Sequence, residues 1–219
     1  MNPDVQDKVI FFGCLIVAII LHEISHGVVA LFCGDDTAKR SGRLTLNPVR
    51  HIDPFGSIIL PAMMLLSTGS AFGYAKPVPV NPTKMHRPRE QMLWVGLAGP
   101  ASNLILMTFA ALFARSMVPS QLPTDAFGYL DPSLLALPLQ ILLIFAVVNL
   151  LLAVFNMLPI PPLDGSSLIE RIMPTTWLPR WYQYRPYGFL VLFGLLFWTN
   201  FFGRIFNPFE LRLYKFILL

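Results

Sequence analysis

Residues 9–32 form an apolar run long enough to cross a bilayer, and three ionisable side chains stand inside it: His22, Glu23 and His26. An ionisable group at membrane depth is expensive and by default points to function. No other stretch constrains the chain as much. The order His22-Glu23-Ile24-Ser25-His26 is the pattern H-E-x-x-H. On a helix, side chains four apart share a face, so the two imidazoles can hold one metal ion together. Imidazole nitrogen suits zinc, and Glu23 can reach a water in an open coordination position. Zinc lowers the pKa of such a water to about 7, and a carboxylate can take its proton as it attacks a carbonyl. The competing reading is buried polar residues that serve packing alone. Three of them at metal spacing within five positions favour the metal.

The setting of this motif is a membrane protein. Of 219 residues, 55% are hydrophobic and only 13% charged, the composition of a multi-pass chain. The length accommodates one membrane-embedded domain over 1–219, with a core over about 8–165 and a C-terminal membrane helix with an interfacial tail over 166–219. The net charge of +4 falls in loops that flank apolar runs, which reads as topology and not as nucleic-acid binding. Cys14 and Cys33 lie on one expected helix, too far apart to bridge, and read as packing residues. The polar, slightly acidic start with no small-residue cleavage site leaves the first helix itself as the insertion signal.

Along the chain, the first helix is expected over 8–33, with Gly27 and Ala30 offering a close approach to another helix. Residues 41–49 (SGRLTLNPV) alternate polar and apolar types between turn formers and predict a short strand. A turn follows at 51–56; its His51 either touches the site or is a solvated loop histidine. Residues 57–71 are apolar but interrupted by Pro61 and Gly69, and short for a span. Over 72–81 (FGYAKPVPVN) alternate prolines forbid a helix and predict an extended segment, which either offers an edge to a peptide or is a plain proline-rich loop. A spanning helix is expected over 91–117. It carries Asn103, whose buried amide either joins helices or hydrogen-bonds within the site. The next helix, 133–155, runs into Asn156-Met157-Leu158-Pro159-Ile160-Pro161-Pro162-Leu163-Asp164-Gly165. Broken backbone at membrane depth is tolerated only beside protein or a wet cavity. Asp164 in that stretch is the candidate third metal ligand, against a plain surface-turn aspartate. Residues 166–185 combine arginines with Trp177, Trp181 and tyrosines, as interface segments do. A last apolar run covers 186–202, and 204–219 predicts an amphipathic helix along the interface.

Positive charge tests this arrangement. Basic connections at 34–54, 74–91 and 159–185 and the charge-poor one at 118–132 reconcile with positive charge inside if 57–71 dips into the membrane and returns. His22, His26 and Asp164 then share one depth near the cytoplasmic face. If 57–71 spans instead, a basic loop is external and the three separate.

These residues resemble the site-2 proteases, a family of intramembrane zinc metalloproteases. HEISH at 22–26, GLAGPASN at 96–103 and NMLPIPPLDG at 156–165 carry the resemblance, supported by HIDPFG and FGYAKPVPVNP between them. It implies an all-α multi-pass membrane protein with a three-helix catalytic core and a re-entrant β element between the first and second core helices. One zinc ion would be held by His22, His26 and Asp164, with Glu23 as general base. Asn156 and Asn103 would support substrate or oxyanion, and the β element would receive substrate as an added strand. Two departures from the family pattern are expected: no spanning helix before the metal-motif helix and no PDZ-like domain.

The function expected is hydrolysis of a peptide bond in or beside a transmembrane segment of another protein. The cell membrane, of prokaryotic type, is the expected location. The alternatives are a membrane protein whose metal site is structural or regulatory, and a transporter. A transporter often shows two related halves, and no internal repeat is present.

Overall fold

The computed structural model describes residues 3–53, 76–119 and 135–219. Three helices among them are long and apolar enough to cross a membrane: α1 (Pro3–Phe32), α3 (Pro88–Met117) and α4 (Leu137–Asn156). Each of the last two starts with proline in its first turn, where the missing N–H costs nothing. α1 ends in a Schellman motif: Asp35 N–H donates to Ala30 O, Gly34 N–H to Leu31 O, and Gly34 takes φ +101°. Only glycine adopts that backbone without strain. A one-turn α2 (Thr37–Arg40) follows.

α1, α3 and α4 pack on one another through small side chains. Ala18, Ala110, Ala111, Ala114, Ala146 and Ala153 are buried, with Leu139, Leu143 and Leu150 filling between them. In lipid this is the expected glue, because helices gain from close contact and not from escaping water. Gly27 serves differently from the expectation. A Cβ there would lie 2.5 Å from Leu44, 3.0 Å from Val78 and 3.1 Å from Ala38 of α2, so it admits the connecting segments after α1 together with the one-turn helix.

The strand expected over 41–49 is not formed. Gly42 takes φ +62°, and the polar side chains bond locally: Asn47 N–H to Thr45 Oγ1, Val49 N–H to Asn47 Oδ1. Such bonds compete with a sheet ladder and start the 3-10 turn Pro48–His51. Among the described residues there is no strand at all. The re-entrant stretch at 57–71 and positions 72–75 lie outside the described residues. Residues 76–80 run without helix or ladder past α1.

After α4 come α5 (Ser166–Ile172), α6 (Leu178–Tyr184), α7 (Gly188–Trp198) and α8 (Phe201–Leu218). The C-terminal membrane helix expected over 186–202 is instead the 11-residue α7, about 16 Å long, half of what a bilayer requires. Thr199 and Asn200 stop it. The Thr199 hydroxyl donates to Leu195 O and accepts from Phe201 N–H, closing one helix and opening the next. The tail helix α8 packs on the long helices. The Phe202 ring meets Phe155 at the end of α4 (centroids 5.5 Å), and Phe216 lies under the Arg115 guanidinium at the end of α3 (5.1 Å). α8 therefore lies lengthwise on α3 and α4 and buries Phe206, Leu213 and Ile217 against them.

Candidate metal centre

His22 and His26 stand one turn apart in the last third of α1, both buried, with their Nε2 atoms 3.1 Å apart. Asp164 reaches them from beyond α4, its Oδ2 3.1 Å from His22 Nε2 and 3.4 Å from His26 Nε2. Each of the three residues offers one ligand atom within 4.8 Å of the others. The loop that delivers Asp164 satisfies its own backbone. Leu163 N–H bonds Ile160 O, Gly165 N–H bonds Asn156 O at 2.7 Å, and Ser167 N–H bonds Asp164 O. A Cβ on Gly165 would sit 2.3 Å from Met157 O, so the turn closes only with glycine.

α3 forms the wall behind the histidines. A Cβ on Gly99 would fall 2.5 Å from the Nε2 atoms of both, so only glycine leaves the pair its room. One turn earlier, the Val95 carbonyl accepts from His26 Nδ1 at 2.6 Å. One turn later, Asn103 Oδ1 lies 2.6 Å from His22 Nδ1, and its Nδ2 donates to Asn149 Oδ1 of α4 at 2.8 Å. Both Nδ1 atoms are thereby engaged, and both Nε2 atoms turn to Asp164.

These donors fit a metal ion. Asp164 Oδ2 is buried and, although close to both imidazoles, makes no hydrogen bond of acceptable geometry. It points between the two nitrogens, where a shared cation would sit. Burial by itself would raise the Asp164 carboxyl, but the two histidines outweigh it and hold the group down to about 2. It therefore stays a carboxylate, the form a metal needs. Two imidazole nitrogens and one carboxylate oxygen are the ligand set of an open zinc site.

The front of the centre is a cleft of about 260 Å3. Its lining includes His22, Glu23, His26, Val78, Asn156 and Asp164. One Glu23 oxygen accepts from Val78 N–H at 2.8 Å. The segment carrying Val78 is pinned at both ends: Arg43 donates to the Lys76 and Pro77 carbonyls, Lys76 N–H to His51 O, and Asn81 N–H to Asp35 Oδ2 at 2.6 Å. A larger cleft, about 380 Å3, opens between the start of α1, α4 and α8; among the described residues no metal-binding group of side chains lines it.

Of the residues singled out from the sequence, His22, Glu23, His26, Asp164 and Asn156 meet at this cleft. Asn103 does not line it; its amide faces His22 on one side and Asn149 on the other. His51 is buried and bonded to Thr45 O through Nε2, so it is neither a solvated loop residue nor part of the cleft. Asn149, the Val95 carbonyl, Asp35 and Arg43 escaped the sequence reading. For Asn149 a signal existed: it is an amide within an apolar helix, as Asn103 is.

Fold and centre together define a membrane protein with an H-E-x-x-H metal-binding geometry. Known proteins narrow this. The chain is 41% identical over 182 residues to the putative zinc metalloprotease YwhC of Bacillus subtilis, covering 83% of this chain and 77% of that protein. It is 29% identical over 181 residues to the putative zinc metalloprotease Rip2 of Mycolicibacterium smegmatis, and 31% identical over 155 residues to Rip2 of Mycobacterium tuberculosis. These matches span 64% and 54% of those proteins. The chain belongs to the zinc metalloprotease family that these proteins represent. No family model and no solved structure matches it.

Proposed function

We propose that the protein is an intramembrane zinc metalloprotease of the site-2 type, cutting peptide bonds in or near transmembrane segments of other membrane proteins. The observation that carries this is the convergence of His22, His26 and Asp164 beside Glu23, at one end of membrane-length helices. His22, His26 and Asp164 would hold one zinc ion, the metal in the relatives' names. When bound, zinc supplies a Lewis acid that polarises a carbonyl and acidifies water.

The chain's own residues supply the rest. Glu23 takes a proton from water and returns it to the leaving amine. Val78 N–H holds one oxygen of that carboxylate in place. Asn156, which lines the cleft, would steady a substrate backbone. Spanning helices hide their carbonyls in their own hydrogen bonds, so the substrate must unwind. Residues 76–80 would receive it extended. Lys76 and Val78 N–H and the carbonyls of Lys76 and Pro77 are engaged among the described residues. The carbonyls of Val78 and Pro79 and the amide of Val80 have no hydrogen-bond partner among the described residues and would pair with substrate.

With 57–71 returning instead of crossing, positive charge inside would orient the centre toward the cytoplasmic face, and a prokaryotic cell membrane is the proposed location. The partners are a transmembrane substrate and the bilayer.

Glu23→Gln tests the reading. It keeps every proposed ligand, so purified protein retains zinc while cleavage falls by roughly 10²–10⁴. Comparing membrane proteomes of cells carrying either form then shows accumulated uncut substrate in the variant. Wild-type cleavage by Glu23→Gln would refute the assigned base, and identical proteomes would refute the protease.

A further inference from the structure

Three buried side chains and one carbonyl form a line across the three long helices, and the line has a direction. Phe145 O of α4 can only accept, so the Asn149 atom 2.8 Å from it must be the amide nitrogen. Asn149 Oδ1 therefore faces Asn103 and accepts from its Nδ2 at 2.8 Å. Asn103 Oδ1 is left facing His22 Nδ1 at 2.6 Å. A carbonyl oxygen can only accept, so His22 carries a proton on Nδ1, and Nε2, on the side of Asp164, is the nitrogen left for a metal. Reversing any member would place two acceptors or two donors face to face. Both asparagines have no exposed surface and His22 only 6%, so water cannot repair such a mismatch. His26 reaches the same state by a shorter route, its Nδ1 donating directly to Val95 O.

We propose that Asn149 and Asn103 are positioning residues of the metal centre. They transmit the polarity of an α4 backbone carbonyl to the imidazole on α1 and so fix which nitrogen of His22 is free to bind metal. Such outer partners of ligand histidines are worth about 10–100-fold in metal affinity. This goes beyond joining helices. Helix glue requires only that the amides be satisfied in some orientation, whereas the relay requires this one.

The inference rests on His22 being a metal ligand, and the experiment separates the two claims. Zinc affinity is measured by competition with a chromophoric chelator on full-length protein in lipid nanodiscs. The proteins are wild type, His22→Ala, Asn103→Leu, Asn103→Asp and Asn149→Leu. Thermal unfolding and ¹⁵N-histidine NMR are recorded on the metal-free forms. Expected results are an Nδ1-protonated His22 in wild type and a roughly 10–100-fold weaker zinc affinity for Asn103→Leu. Asn149→Leu should show a smaller loss with His22 divided between tautomers. Asn103→Asp keeps an acceptor against Nδ1 and should bind zinc more tightly than Asn103→Leu. If Asn103→Leu and Asn149→Leu lower only the unfolding temperature and bind zinc like wild type, the asparagines are packing and the relay is overturned. A His22 in metal-free wild type that carries no proton on Nδ1 overturns it equally. Wild-type affinity in His22→Ala would instead remove His22 from the centre and take the underlying reading with it.

Discussion

The back and the front of the centre are built by opposite rules. Behind the histidines everything lies on long helices and is buried: Asn103, Asn149 and the Val95 carbonyl, with Gly99 giving the rings their room. In front, Asp164 and Val78 sit on connecting segments, and Glu23, though on α1, takes its bond from one of them. The back fixes direction, the front gives access. Precise geometry comes from rigid elements, whereas entry of a peptide needs surface that can be reached. Each side should therefore fail in its own way when altered.

The largest effect should come from the front ligand. Asp164→Ala removes the sole carboxylate in the proposed donor set, leaving two imidazoles. Zinc affinity should drop by more than the roughly 10–100-fold expected for outer partners, and metal analysis of purified protein should find far less than one zinc per chain. Unchanged stoichiometry would remove Asp164 from the centre and dissolve the contrast. Next in size is a change at the back. Gly99→Ala places a methyl 2.5 Å from both Nε2 atoms, so α3 or the rings must shift. Overpacking of this kind costs roughly 1–3 kcal/mol. Unlike Asp164→Ala, it should lower the thermal midpoint of the metal-free protein as well as its zinc affinity. A Gly99→Ala protein with native midpoint and affinity would show the back wall to be softer than its packing implies.

What could be read from the sequence divides along the same line. The three long helices were legible because their apolar runs are long, and two of their ends were marked by Gly34 and the prolines after Asn156, whereas the start of α3 at Pro88 lies three residues before the expected 91. The histidine pair follows from a spacing of four. Asp164 needed the topology argument as well, since nothing local ties it to residues more than 130 positions earlier. The strand at 41–49 failed because alternation is weak evidence against the local bonding habits of Thr45 and Asn47. The C-terminal run is split because hydropathy over 186–202 ignores Thr199, whose hydroxyl closes α7 and opens α8. Asn103 was noticed, but its direction was not legible: an amide shows both a donor and an acceptor, and only Asn149 and Phe145 decide which faces His22.

The smallest effect concerns how the front segment is held. Asp35 has no exposed surface, and its carboxylate accepts from Asn81 N–H and from Thr37. Burial pushes this carboxyl up, yet the donors from Asn81 and Thr37, with the charge of Lys84, outweigh it and leave it below its ordinary value. A depressed carboxyl adds stability that is present above the unfolded value, near pH 3.9, and lost as the pH falls through the folded one. At neutral pH the pin is therefore intact. Asp35→Ala removes it and should leave Asn81 N–H without its partner, a loss of about 1–3 kcal/mol. Hydrogen exchange over 76–81 should then quicken by roughly 5–150-fold at pH 7, while the amides of α3 around Asn103 keep their protection. Acidifying the wild type should reproduce the same local opening only below about pH 4. If exchange quickens equally in α3, the two sides of the centre share one cooperative unit, and the division drawn between them is wrong.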